Sequence, residues 1–260
     1  MDCRLEDFLV LTNININNNF FKQIKNYALN QPQDEVCGLV VPDNFGEVQA
    51  EPCENTKIDK SNGFIIDTKV FLEAVKNKDI LAIYHSHPDD PPDPSRHDLS
   101  QSEALCLTFI IYSVKHDDFY IHIPKSCPIK PFTQRRYVEG LQNCTVLVVD
   151  FYRKNYEFEF EGFDFNLKRQ GLTWEFTFET LLRAKNLFRD NGFKKVKNSE
   201  MKKDDLIIFQ IGKNEIHFGI CLDNDEFLHH PFYGLSQKSF FSEEIKNTIH
   251  SVYRKSVYFY

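Results

Sequence analysis

Apolar positions along this chain fall at helical intervals in some stretches and alternate or cluster in others, and the switches between the two mark out its elements. Phe20, Phe21, Ile24, Tyr27 and Ala28 recur at helical spacing and stop near Asn30 and Pro32, after a polar tract of Asn and Ile over 13–19. Cys37 to Val41 reads as a strand, Pro42-Asp43-Asn44-Phe45-Gly46 as a turn, and Val48 to Cys53 as a second strand. Phe64-Ile65-Ile66 suggests another short strand and Thr68 to Lys78 a helix. The run Ile80, Leu81, Ala82, Ile83 predicts a buried strand leading into His85-Ser86-His87. Pro88 and Pro91-Pro92-Asp93-Pro94 forbid both helix and ladder beyond it, which makes a loop. Ser95-Arg96-His97-Asp98 then opens a helical run over Leu99 to Leu107, and Phe109 to Val114 with Phe119 to Ile123 predicts a hairpin.

Residues 124–140 hold Pro124, Pro128 and Pro131 among Lys125, Lys130, Arg135 and Arg136, so an interdomain linker is placed at 126–140, between domains over 1–125 and 141–260. Asn143-Cys144 opens the β-branched run to Tyr152. Asn143 is a fair N-cap for a helix, while propensity alone leaves strand open. Residues 175–190 read as a helix. Asp205 to Ile211, Ile216 to Leu222 and Glu226 to His230 read as strands, with turns at Gly212-Lys213-Asn214 and Asp223-Asn224-Asp225. Mixed sheets flanked by helices give an α+β class with two domains.

Composition narrows the function classes. At 260 residues, each domain can bury a real core. A net charge of −7 argues against nucleic acid as a partner, which calls for a basic patch. The opening Met1-Asp2-Cys3-Arg4-Leu5-Glu6-Asp7 is acidic and lacks a long apolar region, so no signal peptide is expected. No uncharged apolar stretch is long enough for a membrane span. Seven scattered cysteines show neither a disulfide framework nor a CxxC pattern, so reduced thiols and synthesis in a cytoplasm are expected.

Two constellations carry chemistry. Residues two apart on a strand share a face, so His85 and His87 can converge. Asp98, in the first turn of the next helix, can fold back toward them. Two nitrogens, one carboxylate oxygen and a water make the open tetrahedral site of catalytic zinc. Ser95-x-x-Asp98 is also an ordinary capping box, which explains both residues without a metal. In the second half, Cys144 in the first turn of a helix would gain thiolate character from the helix dipole and unpaired amides. His217 would activate it, and a third polar group on a neighbouring strand would orient the imidazole. Alone, a cysteine is more often buried filler and a strand histidine more often structural.

The string His85-Ser86-His87-x7-Ser95-x2-Asp98, with Glu35-Val36-Cys37-Gly38-Leu39-Val40 upstream, resembles the signature of the JAB/MPN metalloproteases. The resemblance implies that His85, His87 and Asp98 bind zinc, that Glu35 is the general base for the attacking water, and that Ser95 helps to stabilise the tetrahedral oxyanion. Asn143-Cys144, His217-Phe218-Gly219-Ile220 and Phe227-Leu228-His229 resemble the three blocks of the NlpC-type cysteine peptidases, and Asp205 to Phe209 fills the strand before the His block. This implies a papain-like second domain with Cys144 as nucleophile, His217 as base and His229 as orienting residue. His229 is chosen over His230 because it lies twelve residues from His217. Asp204 stands where that family commonly has Gly, and Val146 where it has a smaller residue.

The order of the two domains is similar to that of the K-like tail tip assembly proteins of lambda-type phages, as is the segment Phe227 to Ser236. The resemblance implies a phage tail tip assembly or entry protein with zinc metallo(iso)peptidase and peptidoglycan endopeptidase domains. Its implied partners are the peptidoglycan stem peptide and other tail proteins. It would be found in the host cytoplasm during assembly and then at the virion tail tip. The competing reading is a non-catalytic structural or assembly factor with one or both sites inactive. A third, an isopeptidase acting on host ubiquitin-like tags, comes from the JAB/MPN resemblance alone.

Overall fold

The computed structural model of the chain describes residues 19–43, 47–138, 141–160, 186–211, 215–232 and 234–256. The polar tract over 13–18, the turn centres at 44–46 and 212–214, and most of the helix expected over 175–190 lie outside them. Two compact units divide the chain, with the boundary at Pro128–Ile129. Both are mixed α+β.

In the first unit, helix α1 (Asn19–Asn30) is followed by strands β1 (Cys37–Pro42) and β2 (Val48–Cys53), helix α2 (Thr68–Asn77), strand β3 (Ala82–His87), helix α3 (Arg96–Leu105) and the hairpin of β4 (Thr108–Ser113) and β5 (Asp118–His122). The sheet runs β2-β1-β3-β4-β5, so β3 is central and buried along its whole length. Its pairing with β1 is antiparallel and with β4 parallel. A parallel pair needs a crossover, and the proline-rich loop over 88–94 with α3 supplies it. The apolar face of α1, made by Phe20, Phe21, Ile24 and Ala28, is buried across β2, β3 and β4. On the opposite face Leu39, Val41, Ile83 and Phe109 pack with Ala74 of α2 and with Phe64 and Phe71. Gly38 has a steric reason: a Cβ there would collide with the Glu51 carbonyl oxygen and the Tyr84 ring.

Two expectations change here. Phe64-Ile65-Ile66 is not a strand: only an isolated bridge pairs Ile66 with Asn55, and the Phe64 ring stacks on His85 at 4.7 Å between centroids. The thiols are not all reduced either, because Cys106 and Cys127 form a disulfide with Cα atoms 5.5 Å apart. The fold brings them together. Cys106 caps α3 in the left-handed conformation, and the Glu103 carboxylate accepts the Lys125 and Ser126 amides, both at 2.8 Å, drawing the chain after β5 onto that helix end.

The second unit holds helix α4 (Cys144–Tyr156), strands β6 (Phe193–Val196), β7 (Leu206–Ile211), β8 (Glu215–Cys221), β9 (Glu226–His229) and β10 (Gln237–Phe240), helix α5 (Glu243–Asn247) and strand β11 (Ile249–Lys255). Its six-stranded sheet, β10-β9-β8-β7-β11-β6, is antiparallel throughout. The 143–152 stretch is a helix despite its β-branched residues. Asn143 caps it by accepting the Thr145 and Val146 amides, and Cys144, Leu147, Val148, Phe151 and Tyr152 pack on Leu206, Ile208, Phe218, Ile220 and Leu228. Alternate residues Ile207, Phe209, Cys221 and Phe227 face the other way, toward Phe241 and Ile245. Within the proline-rich stretch 126–140, Arg135, Tyr137 and Val138 are buried in this unit. The Arg135 guanidinium is satisfied by Asp150 Oδ2 and by the carbonyls of Pro131 and Lys130, at 2.6–2.7 Å.

Candidate functional site

The first centre lies at the end of β3. Ile83, His85 and His87 share the face that packs toward α2, by the two-residue period of a strand. Phe64 stacked on the His85 ring and Phe109 edge-on at 6.1 Å fix its plane. His85 Nε2 lies 3.1 Å from His87 Nε2 and 3.5 Å from Asp98 Oδ1. One ligand atom from each of His85, His87 and Asp98 lies within 4.8 Å of the others.

The capping box is present as well. Ser95 Oγ accepts the Asp98 amide at 3.1 Å, and Asp98 Oδ2 accepts the Ser95 amide at 2.8 Å. The carboxylate therefore serves both roles, one oxygen closing the helix end and the other facing the histidines. Burial alone would raise the Asp98 pKa. Attraction to His85 as that ring gains a proton, together with the Ser95 hydrogen bonds, outweighs it and holds the carboxyl below its usual range. The exposed Ser95 is thus engaged first as a helix cap.

The donor set fits a zinc ion. His87 Nδ1 lies 2.7 Å from the Pro91 carbonyl oxygen, which can only accept, so Nδ1 carries the proton and Nε2 presents a lone pair. Burial, with His87 adding to it against the opposing charge of Asp98, drives the His85 pKa down to about 3, so that ring is neutral. Two imidazole nitrogens in contact beside a carboxylate oxygen either share a proton across the gap or share a cation. His85, His87 and Asp98 would hold it, and zinc would supply Lewis acidity and lower the pKa of a water.

Glu35 is brought to this centre by the β1–β3 ladder. The register pairs Cys37 with His85, and the next residues continue it: the Ser86 amide donates to the Val36 carbonyl at 2.9 Å, and the Val36 amide to Ser86 Oγ at 3.0 Å. One step further places Glu35 beside His87. Asn55 fixes it by donating to the Glu35 carbonyl oxygen at 2.8 Å. Burial, followed by the charge of Asp98, pushes the Glu35 pKa up to about 8. Sequence reasoning missed Ser86, Asn55, Pro91 and Phe64, which hold the named residues through backbone contacts and ring stacking. The central Ser of His-x-His was the one available signal.

If this is a metal centre, Asp98→Ala should lower zinc affinity at least about 100-fold, and Ser95→Ala, which loses only the support of a ligand, about tenfold. Competition with a chromophoric chelator would measure both. Equal, small effects would leave the pair as a helix cap and nothing more.

The second centre lies in the other unit. Cys144 is the first residue of α4 and is buried; α4 packs on β8, the strand of His217. His217 Nε2 and His229 Nδ1 are 3.1 Å apart. The register pairs Gly219 with His229, so His217 is the diagonal neighbour of His229 on the same face. His229 Nε2 reaches Ser239 Oγ at 2.8 Å, a contact that sequence reasoning missed. Rings of Phe209, Phe227 and Phe232 wall the pair. Burial, then His230, holds the His217 pKa down at about 3, and burial, then the neighbouring histidines, depresses that of His229. The imidazole of His217 is therefore neutral near pH 7. His230 faces away from the imidazole pair, edge-on to Tyr137 at 5.5 Å.

The two departures from the peptidase pattern are accommodated. Asp204 sits at φ 67°, the left-handed region that favours Gly, and the Tyr152 and Tyr156 hydroxyls donate to its carbonyl and carboxylate oxygens, each at 2.6 Å. Val146 is buried within the helix packing. Asp205 joins β7 to β11: Arg254 grips its carboxylate with two hydrogen bonds of 2.7–2.8 Å.

Residues 18–122 match the family model described as prokaryotic homologs of the JAB domain, and residues 136–254 match that of the NlpC/P60 family. The chain is 27% identical over 209 residues, 78% of its length and 81% of the relative's, to tail tip assembly protein K of Escherichia phage N15. Among solved structures it is similar to a protein of Desulfitobacterium hafniense (22% identical, 41% of this chain and 82% of that one, TM-score 0.33) and to a JAB1/MPN domain protein of Archaeoglobus fulgidus (18%, 40% and 83%, TM-score 0.26). The chain carries an N-terminal JAB/MPN domain and a C-terminal NlpC/P60 domain. Among the described residues no helix is long and apolar enough to cross a membrane.

Proposed function

We propose that this chain acts in phage tail tip assembly and cell entry with two hydrolytic centres, a zinc metallo(iso)peptidase in the first unit and a peptidoglycan endopeptidase in the second. The observation that carries the reading is the His217–His229 contact, which orients a neutral imidazole on the strand packed against the Cys144 helix. With Nε2 engaged by His229, Nδ1 is the nitrogen through which His217 would take the thiol proton. The thiolate would attack the carbonyl of a stem-peptide bond, at a D-glutamyl link to a diamino acid. His217 would protonate the amine as the C–N bond breaks, leaving an acyl-enzyme that water then hydrolyses. In the first unit Glu35, ionised where a held cation offsets the burial that raises its pKa, would take a proton from the attacking water, and Ser95 would act on the developing oxyanion. The substrate there is a protein with a peptide or isopeptide bond. Other tail proteins are the expected partners, first in the host cytoplasm and then at the tail tip.

Muropeptide mass spectrometry tests this. New fragments should form with wild type and with His87→Ala, and be absent with Cys144→Ala. Fragments that survive Cys144→Ala would sink the assignment. A lack of fragments from every protein would favour the non-catalytic assembly role.

A further inference from the structure

Three side chains from three adjacent strands step diagonally across one face of the second sheet. His217 on β8 meets His229 on β9, and His229 meets Ser239 on β10. The register pairs His229 with Gln237, so Ser239, two residues on, is its diagonal neighbour, as His217 is on the other side. All three are buried.

Each neutral imidazole carries one N–H, so the chain can run in only two ways. In the first, His217 Nε2–H donates to His229 Nδ1, His229 Nε2–H donates to Ser239 Oγ, and His217 Nδ1 presents a lone pair. In the second, Ser239 donates to His229 Nε2, His229 Nδ1–H donates to His217 Nε2, and His217 Nδ1 already holds its proton. Only the first leaves His217 able to accept a proton from a thiol. It also requires an acceptor for the buried His229 Nε2–H, since an unpartnered buried donor is costly.

We infer that Ser239 is a positioning residue of the thiol site, whose hydroxyl oxygen accepts from His229 and so keeps His217 in the tautomer whose Nδ1 is unprotonated and can take the Cys144 proton. The inference rests on the thiol-peptidase reading above. The proton leaves Cys144 Sγ with its electron pair staying on sulfur, and arrives on His217 Nδ1. The resulting imidazolium keeps its Nε2–H hydrogen bond to His229. His230 is the other titratable group whose charge acts on both imidazoles, and replacing Ser239 leaves it in place.

Two measurements on the full chain test this. Nitrogen-15 spectra of the imidazoles at pH 7 should show protonated Nε2 on both His217 and His229 in wild type, and a loss of that fixed tautomer in Ser239→Ala. Alkylation of Cys144 by iodoacetamide, followed by peptide mass mapping across pH, should show a low-pH inflection in wild type that His217→Ala abolishes. Below the wild-type inflection Ser239→Ala should alkylate about tenfold more slowly, which corresponds to an upward shift of about one pKa unit. Unchanged tautomers and an unchanged alkylation profile in Ser239→Ala would overturn the inference. Identical profiles for wild type and His217→Ala would instead sink the thiol-peptidase reading, and the spectra would then decide the role of Ser239 alone.

Discussion

Replacing His217 by alanine is expected to lower the cleavage of muropeptides by about 10⁴-fold in kcat/KM, close to the loss on removing Cys144. The reason is that the two would act as one unit: without a base the thiol stays protonated, and without the thiol the base has nothing to activate. Cys144→Ala and His217→Ala combined should therefore be no slower than either alone. His229→Ala should be milder, at roughly 10²-fold, because the imidazole survives and loses only its orientation. Single-turnover rates with purified muropeptides would measure all four proteins. Additive losses in the double variant would mean that Cys144 and His217 do not share a reaction step.

The second large effect is on stability. His217, His229 and His230 are all buried, with pKa values of about 3 for His217 and about 4 for His230, and well below the usual value for His229. In an unfolded chain each titrates near 6.5. Below that pH the unfolded state binds protons that the folded state cannot, so unfolding becomes easier as pH falls. The loss begins at about pH 6.5 and levels off near the folded-state values. Each group contributes about 1.4 kcal/mol per pH unit, so the three together remove ~4 kcal/mol by about pH 5.5. Against a stability on the order of 5–15 kcal/mol for a domain, acid unfolding should set in between about pH 4 and 5.5. Circular dichroism and tyrosine fluorescence against pH would track it, and His230→Phe should move the midpoint to lower pH. A second unit still folded at pH 3 would contradict the burial of these imidazoles.

Much of both centres was legible in the sequence because local rules fix it. The period of a strand puts His85 and His87 on one face, the prolines after them force the loop, and Ser95 with Asp98 marks the start of α3. Asn143 settles a segment whose propensity alone left helix and strand open. The features that stayed hidden depend on distant chain. Nothing near Cys106 announces Cys127, since only the turn back after β5 brings them together. Ser239 reads as an ordinary polar residue until the β9–β10 register places it beside His229. Strands β6 and β11 escaped because Lys194, Lys195, Arg254 and Lys255 break the apolar alternation where the sheet meets solvent. Phe64 looked like a strand residue because its ring is apolar, whereas its partner is an imidazole.

The crossover between β3 and β4 also bears on how the centres come to exist. The three metal-binding candidates lie within one strand, loop and helix start, His85 to Asp98, whereas the thiol centre joins Cys144 to Ser239 across almost the whole second unit. Loop-closure entropy grows with the logarithm of the enclosed length, so drawing the second set together costs about 2 kcal/mol more than the first. The first set can come together from a short piece of chain, while the second has to wait until β8, β9 and β10 are in register.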